Sequence, residues 1–312
     1  MTASSSPLRF VELRALFGEE IQENVPLAHY TSARVGGPAK ALLHARSADE
    51  LAAYVEKLWA NQIPFLILGG GSNVLISDRG ISELVILNRG HNTRIDVRHE
   101  PPSVWAESGT NLGSLSRQVA LRGLSGLEWA SAIPGTVGGA VYGNAGAFGS
   151  NIANSIWMAE ILHPNSGRSW WTSEQFGYQY RSSTLKRENH PAVILSARFK
   201  LEHSSVEAVK EKLEANASQR RNTQPPGASM GSMFMNPEGD YAGRLIEAAG
   251  LKGYSTGQAE ISNVHANFFI AKEGATASDI WKLIEVAREA VLQKFGISLA
   301  LEIERIGDWD RE

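Results

Sequence analysis

The side chains and backbone of this chain that could do chemistry fall in a few short segments. Three consecutive glycines, Gly69-Gly70-Gly71, run into Ser72 and Asn73 between two apolar stretches, PFLIL and VLIS. Such a run lets the backbone take positive φ and turn successive N–H groups toward one point, where an anion can be cradled. A simple strand crossing would need the same flexibility, and on the triplet alone the two readings are balanced. The segment is not a dinucleotide fingerprint, because Val74 stands where G-x-G-x-x-G needs its third glycine, and no Gly-Lys-Ser/Thr follows to make a P-loop. A second segment, Ile133–Gly149, holds six glycines (135, 138, 139, 143, 146 and 149) among Val137, Val141, Tyr142 and Phe148, without a charge. Close backbone approach beside an apolar wall suits a large planar cofactor bearing phosphates. A tightly packed structural turn competes, and the segment is expected to be buried loop and turn.

Other candidates are single residues. Gly227-Ala228-Ser229-Met230-Gly231 matches G-x-S-x-G, but Pro225-Pro226 precedes it and Asn236-Pro237 follows. A nucleophile elbow needs a strand and a helix in those places, so the esterase reading fails. Eight histidines show no H-E-x-x-H or other ligand spacing, and no metal site is expected. His265 reads as a structural histidine. Arg181 falls in a polar loop, and Glu302 and Glu304 share one face of a final strand. Each of these alone reads as surface.

Composition narrows the function classes. The 312 residues suggest two domains, or one large one. Thirty Lys and Arg against 33 Asp and Glu give a net charge of −3, which argues against nucleic acid as the main partner. The absence of cysteine excludes disulfides, thiolate metal sites and cysteinyl cofactor links. No apolar run is long enough to span a bilayer, and residues 1–20 do not read as a secretory signal, so a cytoplasmic protein without membrane insertion is expected. Helices are expected at 9–24, behind a capping box Ser47–Glu50, at 112–121, 204–220, 242–249 and 279–294. Strands are expected within 31–45 and at 64–68, 83–88, 104–108, 193–201, 267–271 and 299–306. Helix and strand alternate but not strictly, which favours an α+β class in two domains.

The order of the segments is more specific than any one of them. Arg34-Val-Gly-Gly-Pro-Ala, Leu68-Gly-Gly-Gly-Ser-Asn-Val-Leu, Ile133-Pro-Gly-Thr-Val-Gly-Gly-Ala, Asn144-Ala-Gly-Ala-Phe-Gly, Tyr180-Arg-Ser-Ser, Gly231-Ser-Met-Phe-Met-Asn-Pro, Ala242-Gly-Arg-Leu-Ile-Glu-Ala-Ala-Gly-Leu-Lys-Gly, His265-Ala-Asn-Phe and Glu302-Ile-Glu-Arg-Ile-Gly follow one another along the chain. This series resembles the UDP-N-acetylenolpyruvoylglucosamine reductase (MurB) family of flavoenzymes. The first three segments would also fit the wider flavin-binding superfamily; the C-terminal ones are more specific. The resemblance implies an N-terminal helical segment (1–30), a two-part FAD-binding domain of PCMH type (31–201) and a C-terminal α+β substrate-binding domain (202–312). It implies non-covalent FAD held by Arg34, Gly69, Gly70, Gly71, Ser72, Asn73, Ile133, Pro134, Gly135, Gly138, Gly139, Asn144 and Gly146. NADPH is the implied reductant and UDP-N-acetylglucosamine enolpyruvate the implied substrate, with Arg244, Lys252, His265 and Asn267 as substrate contacts and no obligate protein partner. Met235 and Ala271 depart from the usual family residues. The short interval between Arg181 and Ser232 resembles the class that lacks an extra tyrosine-bearing loop.

The implied catalytic residues are Arg181, Ser232 and Glu302. Hydride addition to the enolpyruvyl double bond drives negative charge into the neighbouring carboxylate. By resemblance Arg181 and Glu302 hold and polarise that carboxyl, and Ser232 protonates the adjacent carbon. A guanidinium serves a carboxylate through two parallel N–H groups. Glu302 would have to act in its protonated form, which burial favours. The competing readings are an FAD-dependent oxidase of the same superfamily acting on an alcohol or sugar, and a flavin-binding scaffold without turnover.

Overall fold

The computed structural model describes residues 10–188 and 191–309. The readings made on residues 1–9 and the end of the polar stretch at Asn189 lie outside the described residues. The chain forms two compact units, each assembled from separated stretches. One comprises Met1–Leu42, Gly71–Val85 and Arg221–Glu312, and the other Leu43–Gly70 and Ile86–Arg220.

The second of these units is built on a five-stranded antiparallel sheet in the order Gly167–Thr172, Ile156–His163, Val193–Lys200, Ser103–Glu107, Thr93–Asp96. Ala159, Ile161, Ala197, Phe199, Val104 and Ala106 of this sheet are buried in one cluster with Leu112, Leu115 and Val119 of helix Leu112–Ala120 and Val137 and Val141 of helix Val137–Gly143. The spacing of those apolar residues is helical in the helices and alternating in the strands, which is why each segment takes its form. Helix Ala48–Ala60 starts at Ser47, whose hydroxyl accepts from Glu50 N at 3.1 Å. The Glu50 carboxylate turns to Arg46 N and the Tyr54 hydroxyl instead of Ser47 N, so half of the expected capping box forms.

The other unit has its own core. Helix Ala277–Phe295 presents Ile280, Leu283, Ile284, Ala287 and Val291 to a three-stranded antiparallel sheet of Ser255–Thr256, Ala259–Ile261 and Phe269–Ala271, with Leu245 and Ile246 of helix Ala242–Ala248 in the same cluster. Strand Gln22–Pro26 pairs antiparallel with the start of Pro38–Ala45, and Glu304–Ile306 pairs parallel with Val74–Ile76. The first turn of the 277–295 helix is capped from a distant segment. Asp78 accepts from Ala277 N, Ser278 N and the Ser278 hydroxyl at 2.8, 2.8 and 2.6 Å.

Four expectations are corrected. The helix expected at 9–24 ends at Phe17, because Gly18 takes φ +57° and residues 22–26 leave to pair as a strand. The glycine-rich 133–149 segment is not all loop. Val137–Gly143 is a helix, with the Thr136 hydroxyl capping Gly139 N and Asn144 closing it at φ +48°. Burial of Val137 and Val141 overrides the poor helix propensity of glycine. The strand expected at 299–306 is confined to Glu304–Ile306. Leu301 makes an isolated bridge to Phe234 and Glu302 lies in a bend, so Glu302 and Glu304 do not share a strand face. The 267–271 strand is Phe269–Ala271. Residues 206–220 of helix Val206–Thr223 fall in the unit of the five-stranded sheet, where Asn216 donates to Glu128 O at 3.0 Å and Lys212 lies 3.5 Å from the Glu128 carboxylate.

Asp78→Ala removes three acceptor contacts from one helix start. It is expected to lower unfolding free energy by about 1–2 kcal/mol, with Asp78→Asn costing less. Urea unfolding followed by circular dichroism measures both.

Candidate active site

Ser232 lies in an irregular loop that borrows partners from both sides. Met233 N donates to Asn267 O at 2.8 Å. The buried Asn267 amide then grips the next residue twice, accepting from Phe234 N at 2.9 Å and donating to Phe234 O at 2.8 Å. On the other side Met235 N donates to Ala300 O and Glu302 N to Met233 O, both at 2.9 Å. Asn73 completes the frame, donating from Nδ2 to Glu302 O at 3.0 Å and accepting Glu304 N at 2.9 Å. Within this unit Ser232 and Glu302 are therefore neighbours across a hydrogen-bonded loop pair, with Asn73 bracing Glu302.

The other sequence-predicted residues of this unit fare differently. Asn267, expected at the substrate, spends its amide on the Ser232 loop. His265 is half-buried, and its Nδ1 accepts Asn267 N at 3.2 Å, which puts the neutral ring's proton on Nε2. Burial lowers its pKa. Arg244 and Lys252, expected as anion contacts, each meet a carboxylate. Arg244 forks onto Asp240, holding that carboxyl down to about 2, and Lys252 reaches Glu247 at 2.8 Å. Arg34 is exposed, at φ +57°.

In the sheet-bearing unit, Arg181 occupies a two-residue turn between Gln179 and Ser182, at φ +54°. Its guanidinium donates to Gly146 O at 3.1 Å and lies 4.9 Å from the centre of the Tyr180 ring. Asn144 and Gly146, expected to hold the cofactor, thus both sit against the Arg181 turn, since Asn144 Nδ2 donates to Gln179 O at 2.9 Å.

The glycine triplet owes its composition to the protein itself. A Cβ on Gly69 would lie 2.5 Å from Thr136 Oγ1, one on Gly70 2.9 Å from Gly135 Cα, and one on Gly71, at φ +59°, would strike Tyr30 O. Arg89, which sequence reasoning missed, fixes the loop by donating to Gly69 O at 2.8 Å. Nothing local in the sequence marks it. Thr136 was missed too, although a threonine before an apolar residue is a legible helix start. Ile133, Pro134 and Gly135 lead into the 137–143 helix, and Gly138 and Gly139 lie in its first turn. Gly138 abuts Ser108, a Cβ on Gly139 would lie 3.7 Å from Thr136 Oγ1, and Gly143 faces open space.

These features fit a flat, partly apolar cofactor. Gly139 and Gly143 carry no side chain to keep a flat ring from the helix, and Gly143 has nothing near it. Among the described residues, the Thr110 and Tyr178 hydroxyls of the same unit are buried without hydrogen-bond partners. No helix among the described residues is long and apolar enough to cross a membrane, and no group of three metal-ligating side chains occurs among them.

Comparison with known proteins separates the flavin readings. An FAD binding domain profile matches residues 39–173, and the profile of the C-terminal domain of UDP-N-acetylenolpyruvoylglucosamine reductase matches residues 222–306. The reductase of Chloroflexus aggregans is 40% identical over 291 residues, covering 92% of this chain and 97% of that protein. That of Rubrobacter xylanophilus is 42% identical over 285 residues, covering 91% and 94%. The chain belongs to the UDP-N-acetylenolpyruvoylglucosamine reductase family. The crystal structure of the MurB reductase from Thermus caldophilus superposes with a TM-score of 0.77 at 34% identity, over 91% of this chain and 99% of that one. The C-terminal match belongs to the reductase, so the oxidase alternative is the less supported of the two. The fold is the α+β arrangement of an FAD-binding domain and a reductase C-terminal domain.

Two outcomes follow from the geometry. Gly71→Ala should destabilise the protein by more than about 2 kcal/mol even without cofactor, because the left-handed φ and the Tyr30 carbonyl both oppose a Cβ. Chemical unfolding of flavin-stripped protein tests this; a variant impaired only in flavin binding would restore the expectation that Gly71 serves the cofactor. For His265, the lowered folded-state pKa means that the folded chain binds fewer protons than the unfolded one. Its contribution is intact above pH of about 6.5 and lost as pH falls below that. His265→Gln should flatten the acid-side loss of stability, measured by urea titrations from neutral pH to about pH 5. An unchanged slope would assign the loss elsewhere, with His44, also pushed down by burial, the first candidate.

Proposed function

We propose that this chain reduces UDP-N-acetylglucosamine enolpyruvate to UDP-N-acetylmuramate, a peptidoglycan precursor, and that Ser232, Arg181 and Glu302 act on the enolpyruvyl group. FAD is the cofactor and NADPH the reductant; the bound flavin supplies hydride transfer to the enolpyruvyl double bond. The sequence offers no cysteine for a cysteinyl flavin link. A reaction fed by NADPH and a nucleotide sugar is cytoplasmic.

Ser232 gives its hydroxyl proton to the carbon next to the carboxylate, where negative charge builds as hydride arrives. A serine hydroxyl is a weak acid and works only when held on target, which is what the Asn267 and Glu302 contacts of its loop accomplish. Glu302 polarises the substrate carboxyl from the adjoining segment, held in place by Asn73. Arg181 offers two N–H groups to the same carboxylate, where charge develops. Gly69–Asn73, Ile133, Pro134, Gly135, Gly138, Gly139 and Arg34 hold the flavin in this reading, while Lys252, Arg244 and His265 face the nucleotide. The observation that carries the assignment is the pairing of Glu302 N with Met233 O at 2.9 Å, which fixes a carboxyl-bearing residue beside the serine loop.

The protein is expected to purify yellow and to release intact FAD on denaturation. Ser232→Ala should leave flavin reduction by NADPH nearly normal and slow flavin reoxidation by the enolpyruvyl substrate on the order of 10²-fold or more, the usual scale for a general acid. Ser232→Cys should recover part of that loss. Stopped-flow flavin absorbance, with each substrate added separately, reads the two halves. Equal slowing of both would take Ser232 out of the proton-transfer role.

A further inference from the structure

The turn that carries Arg181 is tied to the end of helix Val137–Gly143 by three hydrogen bonds. Asn144 Nδ2 donates to Gln179 O at 2.9 Å, Arg181 Nη2 to Gly146 O at 3.1 Å, and the buried Ser183 hydroxyl to Tyr142 O at 2.7 Å. Gln179 and Ser182 close the turn on each other, N–H to carbonyl in both directions, at 3.0 and 3.1 Å. Arg181 is a non-glycine residue at positive φ, a conformation that persists only where the surroundings enforce it.

Asn144 is the centre of that enforcement. It is 5% exposed, and it ends the helix in the left-handed region that asparagine tolerates. Its Oδ1 accepts from Ala153 N at 3.1 Å while its Nδ2 holds the Gln179 carbonyl. Both ends of the amide are thus engaged by the protein. We propose that Asn144 is a positioning residue that clamps the Gln179–Ser182 turn and thereby aims the Arg181 guanidinium at the substrate carboxylate. This rests on the proposed role of Arg181.

The test uses flavin-loaded enzyme carrying Asn144→Gly, which keeps the left-handed backbone and loses the amide, Arg181→Ala, and the two together. Asn144→Gly is expected to keep full flavin content and to be reduced by NADPH within about twofold of the normal rate. Its reoxidation by the enolpyruvyl substrate should slow by about tenfold or more, as a misplaced catalytic group does. In the Arg181→Ala background the same change should add no further loss, because its effect passes through Arg181. Should Asn144→Gly fail to fold, Asn144→Asp keeps the acceptor for Ala153 N, loses the donor to Gln179, and is expected to give the same pattern. Flavin loss, equal slowing of both half-reactions, or additive losses in the double variant would each overturn the clamp. Unchanged rates in Arg181→Ala itself would instead remove the role of Arg181 on which the clamp depends.

Discussion

A serine held on an irregular loop imposes one constraint above others: every backbone N–H and C=O of that loop must find a partner without a ladder to supply it. Residues 233–235 meet it with Asn267 on one side and residues 300–302 on the other. Each unpaired buried group would cost about 1–3 kcal/mol, so the loop has little freedom to shift while those bonds stand. The same bonds place Glu302, because the carbonyl of Met233 is its N–H partner. Asn73 extends the frame to the glycine-rich turn after Leu68. Order in this unit is thus carried by amide side chains acting as surrogate strands.

The other unit uses the same device. The 137–143 helix ends at an asparagine whose amide holds a neighbouring turn, and the Gly69 carbonyl is fixed by Arg89. In both units an asparagine of the sequence motifs holds the backbone of a distant segment. These asparagines shape the backbone, and the backbone presents a few groups outward.

This division sets what could be read from sequence. Helices Ala48–Ala60, Leu112–Ala120 and Ala277–Phe295 were legible because 3.6-residue periodicity is local. The order of the motifs carried the family and the α+β class. The partners of motif residues were not legible, because they are far away in sequence. Asn73 meets Glu302, Asn267 meets Phe234, and Gly71 yields to the Tyr30 carbonyl. Residue type showed that something special happened at these positions, and spacing could not show what. The discontinuous units were hidden for the same reason: nothing within helix Val206–Thr223 announces that Glu128 holds it. The helix at 137–143 was masked by its glycines, whose low propensity is outweighed by packing that no local pattern reveals.

The ion pairs bear on how an anionic nucleotide is captured. Arg244 and Lys252 each lie within hydrogen-bond reach of a carboxylate, and the chain carries a net charge of −3. A cation paired this closely projects little field beyond the Debye length of about 8 Å at physiological ionic strength. These two residues therefore do not steer a ligand from a distance. If they engage phosphates, they do so at contact, by exchanging one set of oxygens for another, and Asp240 and Glu247 set the cost of that exchange. Recognition then depends on geometry at short range. In the proposed reading the serine loop and the arginine turn, each held by hydrogen bonds within its own unit, need no further ordering when a ligand arrives.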